Sequence, residues 1–134
     1  MTAVGAGAHP VVYSDVIRER WRRPRFRGEL APPAASAEDV NPLCGDRVRM
    51  TFDVETVGGG TIRAARFTGD SCAICTASAD VLSEMVQGRT RSQALAVTET
   101  DLLTTLAADI RPTRMRCVTL PLTVLGRALG GSPR

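Results

Sequence analysis

Three short segments carry residue types that could do chemistry together. Asn41-Pro-Leu-Cys44-Gly-Asp46 precedes a strand-like stretch, Ser71-Cys72-Ala-Ile-Cys75 opens a helix-like stretch, and Arg114-Met-Arg116-Cys117 stands near the start of another. Thiols in the first turn of a helix face unpaired backbone amides and the positive end of the helix dipole, which favour the thiolate. Arg114 and Arg116 are expected to push Cys117 the same way. Cys44, Cys72, Cys117 and the Asp46 carboxylate make four anionic donors. Such a set suits tetrahedral Zn²⁺, or an iron–sulfur cluster with oxygen in place of one thiolate. Spacing alone does not establish a shared site. Steps of 28 residues (44 to 72) and 45 residues (72 to 117) are far wider than a compact zinc motif, and unclustered cysteines are commonly structural.

Several other chemistries are excluded. The 17 basic residues are all Arg, so no lysine Schiff base can form. The single His, His9, lies near the N-terminus, so most Cys/His and Ser/His nucleophile schemes lack their base. A net charge of +3 is too mild to argue for nucleic-acid binding, and no nucleic-acid partner is expected. No apolar run reaches the length of a membrane-spanning helix and no secretory signal is visible, so no membrane partner is expected and the expected compartment is the cytoplasm. Cysteines there are kept reduced, which favours metal or sulfur chemistry over disulfides.

The elements that must position these residues follow from patterning. With 134 residues, 43% hydrophobic and 23% charged, the chain has the size and composition of one globular domain. Residues 1–10 read as a flexible leader and 11–130 as a single domain. Val12, Val16, Ile17 and Trp21 recur at helical spacing over 11–21, and Pro24 ends that helix. Six arginines between Arg18 and Arg27 read either as a solvated helix end or as a docking patch for an acidic partner. Leu30–Val40 is Pro/Ala-rich and loop-like, although it could supply a third strand. Val48, Met50, Phe52 and Val54 alternate strictly over 47–55, a half-buried strand. Val57-Gly-Gly-Gly60 turns the chain into a return strand, 61–68, anchored by Ile62 and Phe67. Gly69-Asp-Ser71 opens a helix over 72–87 that Gly88 closes. Short helices follow at 90–96 and 100–108, the latter capped by Thr98 or Thr100. A last helix runs over 115–129, and Pro121 fits its first turn if the helix starts near Leu120.

The residues around the three segments sharpen this reading. Arg23-Pro-Arg-Phe-Arg-Gly28 resembles an N-P-R-N-x-G turn, and Asn41-Pro-Leu-Cys-Gly-Asp46 resembles N-P-x-C-G-D. Ala65-Arg-Phe-Thr-Gly-Asp-Ser-Cys-Ala-Ile-Cys-Thr-Ala-Ser-Ala79 resembles A-x-F-x-G-x-G-C-A-I-S-x-A-S-A. Pro112-Thr-Arg-Met-Arg-Cys-Val-Thr-Leu120 resembles P-A-R-I-K-C-A-T-L. These are the motifs of the IscU/SufU/NifU-N family of iron–sulfur scaffold and sulfur-acceptor proteins, and the resemblance extends over about Val12 to Leu129.

The resemblance implies an α+β fold, a three-stranded antiparallel sheet with helices packed on one face. It implies that Cys44, Asp46, Cys72 and Cys117 are metal or cluster ligands. In SufU-type members these hold zinc, and the cysteine matching Cys44 takes persulfide sulfur from a cysteine desulfurase (SufS-type) after a ligand swap. In IscU-type members the same positions assemble a [2Fe–2S] cluster for downstream scaffold or apo-protein clients, with Fe²⁺ as the alternative metal. IscU-type proteins carry His before the third cysteine, within the L-P-P-V-K-x-H-C segment that a chaperone reads. Arg116 stands there in this chain, which looks like the basic residue of the SufU pattern. The 45-residue step to Cys117, in contrast, is nearer to IscU spacing. Ser71 stands where Gly is usual and Cys75 where Ser is usual. Cys72-x-x-Cys75 therefore reads as a redox pair, as a ligand or alternate sulfur acceptor at Cys75, or as a small buried helix residue. Arg114 is expected to pair with Asp46 or to steer the partner. A purely structural zinc site is disfavoured by its aspartate, since closed structural sites are usually Cys/His only.

Overall fold

The computed structural model describes residues 13–32 and 34–130. The leader expected at 1–10, with His9, lies outside them. In chain order the elements are α1 (Asp15–Arg22), β1 (Ala35–Asn41), β2 (Asp46–Val54), β3 (Ile62–Thr68), α2 (Ala73–Val86), α3 (Arg91–Leu95), α4 (Glu99–Leu106) and α5 (Met115–Gly130). The strands form one antiparallel sheet in the order β1-β2-β3. Helix α5 lies over β1 and β2 and helix α2 over β3, while α1, α3 and α4 pack on these two helices. This is the α+β fold that the motifs implied.

The third strand is β1, within the stretch that reads mainly as a loop. Its core-facing positions are Ala35, Ala37, Asp39 and Asn41, small or polar, and its one branched apolar residue, Val40, faces outward. Alternation was therefore invisible in the sequence. The register nevertheless places Ala35, Ala37 and Asp39 opposite Phe52, Met50 and Val48. In β3 the anchors Ile62 and Phe67 are five residues apart, which strict alternation puts on opposite faces. The register shift at Asp53/Val54 places Ile62 opposite Val54 and leaves an extra residue in β3, so Ile62, Ala65 and Phe67 all face the core.

Helix α2 is enclosed nearly all round. Its small residues allow this: Ala73, Ala77, Ser78, Ala79 and Ser83 let neighbouring backbones come close, and Ser78 Oγ donates to the Val118 carbonyl of α5 at 2.7 Å. Helix α1 starts at Asp15 rather than near residue 11, because Ser14 caps it by accepting from the Ile17 N–H. Ile17 is fully buried, whereas Trp21 in the last turn is about half exposed. Thr98, one of the two expected caps, starts α4 in a reciprocal capping box with Asp101. Helix α5 begins at Met115, so Pro121 sits in its interior, not its first turn, and cannot donate to the Cys117 carbonyl one turn back.

The arginine-rich stretch is divided by its contacts. Arg20 is mostly buried and pairs with Asp80 at 2.8 Å and with Glu84. Burial opposes its charge, but the two carboxylates outweigh that and raise its pKa. Asp80 is wholly buried and also accepts from the Phe26 N–H at 2.7 Å, clamping the Arg23–Gly28 turn onto α2. That turn in turn bonds to the edge of β3 through the Gly28 N–H and the Phe67 carbonyl. Removing one partner of a buried pair strands the other. Asp80→Ala is therefore expected to lower unfolding free energy by about 3 kcal/mol, measured by chemical denaturation. A change below about 0.5 kcal/mol would show that the clamp is incidental.

Candidate metal centre

The four expected donors come from three parts of the fold. Cys44 and Asp46 belong to the β1–β2 hairpin. Asn41 pairs with Asp46 across the ladder, and residues 42–45 form the connection. Asn41 shapes this loop. Its carbonyl accepts from the Gly45 N–H at 2.8 Å, its Oδ1 accepts from the Leu43 N–H, and its Nδ2 donates to Cys44 Sγ at 3.1 Å. Gly45 adopts a φ of +76°, a left-handed conformation costly for any residue with a Cβ. Asp46 lies two residues before Val48, so the face of β2 that carries the core also carries this carboxylate into the interior. Cys44 at the turn stays exposed.

Cys72 caps α2. Sequence patterning placed Gly69-Asp-Ser71 at the helix start, and the residue that performs the capping is the thiol itself, which accepts from the Cys75 N–H at 3.4 Å. The segment between β3 and α2 crosses close over the start of β2. The Arg47 N–H donates to the Asp70 carbonyl at 2.8 Å, and a Cβ at Gly69, whose φ is +142°, would run into the Arg47 carbonyl. This close crossing brings the N-terminus of α2 against Asp46. Cys117 is in the first turn of α5, directly after the 3₁₀ turn Pro112–Arg114.

The groups converge on Asp46, which is only 3% exposed. One carboxylate oxygen accepts from the Cys72 N–H at 2.9 Å. The other accepts from the Cys44 thiol at 3.1 Å and faces Cys72 Sγ at 3.7 Å. Donor atoms of Cys44, Asp46 and Cys117 all lie within 4.8 Å of one another. Cys72 stands at the edge of this trio, joined to it through Asp46. Burial alone would raise the pKa of Asp46, but the hydrogen bonds from Cys44, the Cys72 amide and the Cys117 and Cys72 thiols hold it below the usual carboxylate range.

Cys117 differs from expectation. Arg114 does favour its thiolate, but burial pushes the thiol up to about 12, helped by Cys72 and Asp46 alongside. Arg116 is exposed. Arg114 is held charged by Cys117 first and Cys72 second, and its Nε is buried without a protein partner. It therefore faces the sulfurs rather than forming the expected pair with Asp46. Cys75 is wholly buried and outside the donor cluster, with its thiol pKa raised by burial. Asn41 belongs to the segment that resembles N-P-x-C-G-D, but its role of holding Cys44 becomes visible in the structure. The signal was present, since Asn at the end of a strand commonly bonds to its own turn.

In the reduced, metal-free chain a soluble alkylating reagent at pH 8 is expected to modify Cys44 first and Cys72 second. Cys75 and Cys117 should react only on opening of the chain. With a thiol at about 12, the thiolate fraction of Cys117 at that pH is on the order of 10⁻⁴. Peptide mass mapping over time gives the order, and Cys117 reacting as fast as Cys44 would contradict the enclosure described.

Comparison with known proteins follows the same lines. Residues 12–131 match the family described as NifU-like N terminal domain. The bifunctional protein NifU/MnmA of Rubrobacter xylanophilus is 32% identical over 121 residues, 89% of this chain and 24% of that protein. The zinc-dependent sulfurtransferase SufU of Bacillus subtilis is 31% identical over 88 residues, 66% of this chain and 57% of that protein. This chain thus spans about a quarter of the first relative's length and somewhat over half of the second's. Among solved structures, a protein of Fervidobacterium islandicum AW-1 superposes with a TM-score of 0.74 at 27% identity, over 87% of this chain and 96% of that one. It is provisionally assigned as an iron–sulfur cluster assembly scaffold protein for the SUF system.

Proposed function

Since the chain belongs to the NifU-like N terminal domain family, we propose that it accepts persulfide sulfur from a cysteine desulfurase of SufS type, at a zinc site made by Cys44, Asp46, Cys72 and Cys117, for iron–sulfur cluster assembly. The observation that carries this reading is the buried Asp46 carboxylate at the meeting point of three thiols from three segments. The similarity to the zinc-dependent sulfurtransferase of Bacillus subtilis supports it.

The donors fit the metal. Three sulfurs and one carboxylate are ligands that zinc takes, and a buried thiol pushed to about 12 even beside Arg114 needs further positive charge to ionise near neutral pH. When bound, zinc would keep the thiols ionised as thiolates. The positive Arg114 beside Cys117 and Cys72 offsets part of the negative charge that the four donors bring inside.

The chain's own residues divide the remaining work. Cys44 is the reachable sulfur, at an exposed turn beside Leu43, which is 88% exposed. Its thiolate attacks the outer sulfur of the desulfurase persulfide. The partner's sulfur–sulfur bond breaks, the partner cysteine leaves as thiolate, and Cys44 carries the persulfide. Asn41 Nδ2, 3.1 Å from Cys44 Sγ, donates to the sulfur and steadies its negative charge. Asp46 accepts from the Cys44 thiol and stays fixed through the Cys72 amide while Cys44 moves. Cys72 and Cys117, anchored in helices, keep the site together. The sulfur then passes to a downstream scaffold or apo-protein client.

A second reading uses the same four residues to assemble and pass on a transient [2Fe–2S] cluster. The resemblance to the Fervidobacterium scaffold and the short step from Cys72 to Cys117 favour it. In both readings the work is done in a reducing compartment, and no helix among the described residues is long and apolar enough to cross a membrane.

Metal analysis with a visible spectrum, on protein purified anaerobically without added iron, separates the two readings. About one zinc per chain without colour is expected for sulfur transfer. Sub-stoichiometric iron with a brown, sulfide-releasing chromophore would establish the scaffold instead. Cys44→Ala is expected to abolish stimulation of desulfurase turnover, and unchanged stimulation would remove Cys44 as acceptor. Asp46→Ala is expected to weaken zinc binding at least tenfold if zinc is resident, or to trap a longer-lived cluster if the scaffold reading holds. Arg22 and Arg23 are exposed with no ion pair to a described residue, and Arg25 pairs only at the surface with Glu84. Reversing all three charges is expected to weaken desulfurase binding, and unaltered binding would place the docking surface elsewhere.

A further inference from the structure

We propose that Cys72 and Cys75 form a redox-active dithiol, which closes to a disulfide by exchange with a small-molecule disulfide and so withdraws Cys72 from the donors around Asp46. The consequence for the metal rests on the zinc reading above; the dithiol itself does not.

The local geometry prepares the bond. Cys72 is the N-cap of α2 and Cys75 is its third residue, and both are free thiols. The Cys75 N–H donates to Cys72 Sγ at 3.4 Å, so the first sulfur is already folded over the residue that carries the second. Residues three apart on a helix have Cα atoms about 5 Å apart, inside the range a disulfide spans. Closure therefore needs side-chain rotation and no movement of the helix.

Burial gives the two thiols different tasks. Cys72 is partly exposed and open to a small reagent, whereas Cys75 is wholly buried and shielded from one. Cys75 has only to attack its neighbour, and an intramolecular attack gains a large effective concentration that offsets its poor ionisation. In the first step the Cys72 thiolate attacks an external disulfide, whose bond breaks to release one thiolate and leave a mixed disulfide on Cys72. In the second, Cys75 attacks Cys72 Sγ, its thiol proton goes to solvent, and the second external thiolate leaves. Two cysteine thiols are oxidised and one external disulfide is reduced to two thiols. Cys72 no longer offers a thiolate to a cation, while Cys44, Asp46 and Cys117 keep their donor atoms.

The test uses the full metal-free chain in mixtures of reduced and oxidised glutathione, with acid quenching, alkylation and tryptic mapping. Cys72 and Cys75 fall in one peptide, residues 67–89, while Cys44 and Cys117 fall in others. An internal disulfide therefore appears as that single peptide, unalkylated and two hydrogens lighter. The expected result is this species in excess oxidised glutathione, its absence in Cys75→Ser, and slower formation in the zinc-loaded chain. Zinc content of the wild type should fall from about one per chain to less than about a tenth on oxidation, with Cys75→Ser retaining most of it. Double alkylation of the peptide throughout, or cross-linking of Cys72 to Cys44 or Cys117, would overturn the proposal. Equal zinc binding by reduced wild type and Cys75→Ser in that event would leave the metal reading intact. An internal disulfide in a chain that takes up no zinc when reduced would establish the dithiol and overturn the metal reading.

Discussion

The hydrogen bond between the Asp46 carboxylate and the Cys72 backbone amide holds the centre together. It joins the first residue of β2 to the N-terminus of α2, elements whose sequence positions are 26 residues apart. A carboxylate this deeply buried is costly unless it is satisfied. Here one oxygen takes the helix amide and the other takes thiols, so the group remains ionised, and its charge faces the positive end of the α2 dipole. Each of the three cysteines is placed relative to this one side chain.

The sheet and the helices exist, from the standpoint of the centre, to bring that bond about. The core face of β2 delivers Asp46 inward because Val48, Met50 and Phe52 anchor its alternation. The crossing at Gly69 lets the β3–α2 connection run close over Arg47 and ends at Cys72. Ser78 ties α2 to α5 at the Val118 carbonyl, directly after Cys117, which fixes the third sulfur against the other two. The Asp80 clamp on the opposite side of α2 holds the Arg20 and Phe26 segment, keeping that helix enclosed.

The electrostatics of the centre are set by burial and by one guanidinium. Burial keeps Cys117 protonated despite Arg114, and Arg114 is itself held charged by sulfurs on one side while its Nε lies buried. Cys44, on its exposed turn, combines the greatest reach with a donor to its sulfur, Asn41 Nδ2. The difference between the exposed thiol of Cys44 and those of Cys72 and Cys117 at helix starts follows from where the chain turns, not from the thiols' chemistry. The same distinction separates Cys72 from Cys75, which share a helix turn but not an environment.

The sequence by itself determined the elements with strong periodicity and the chemistry of the donors. Alternation over Val48–Val54 specified β2, the start and stop signals around 72–87 specified α2, and the motifs around Cys44, Cys72 and Cys117 specified which side chains matter. It offered β1 only as the alternative to a loop over Leu30–Val40, because that edge strand faces the core with alanines, an aspartate and an asparagine, residues without β-forming character of their own. It misjudged the sign of the shift at Cys117, because local charge and helix position were legible but burial was not. It spread the arginines into one patch, whereas Arg20 is spent internally on Asp80, a partner 60 residues away. Tertiary structure alone decided these points. Burial, register across strands and the meeting of Asp46 with three distant sulfurs depend on contacts between segments, and no local pattern of residues encodes a distance in space.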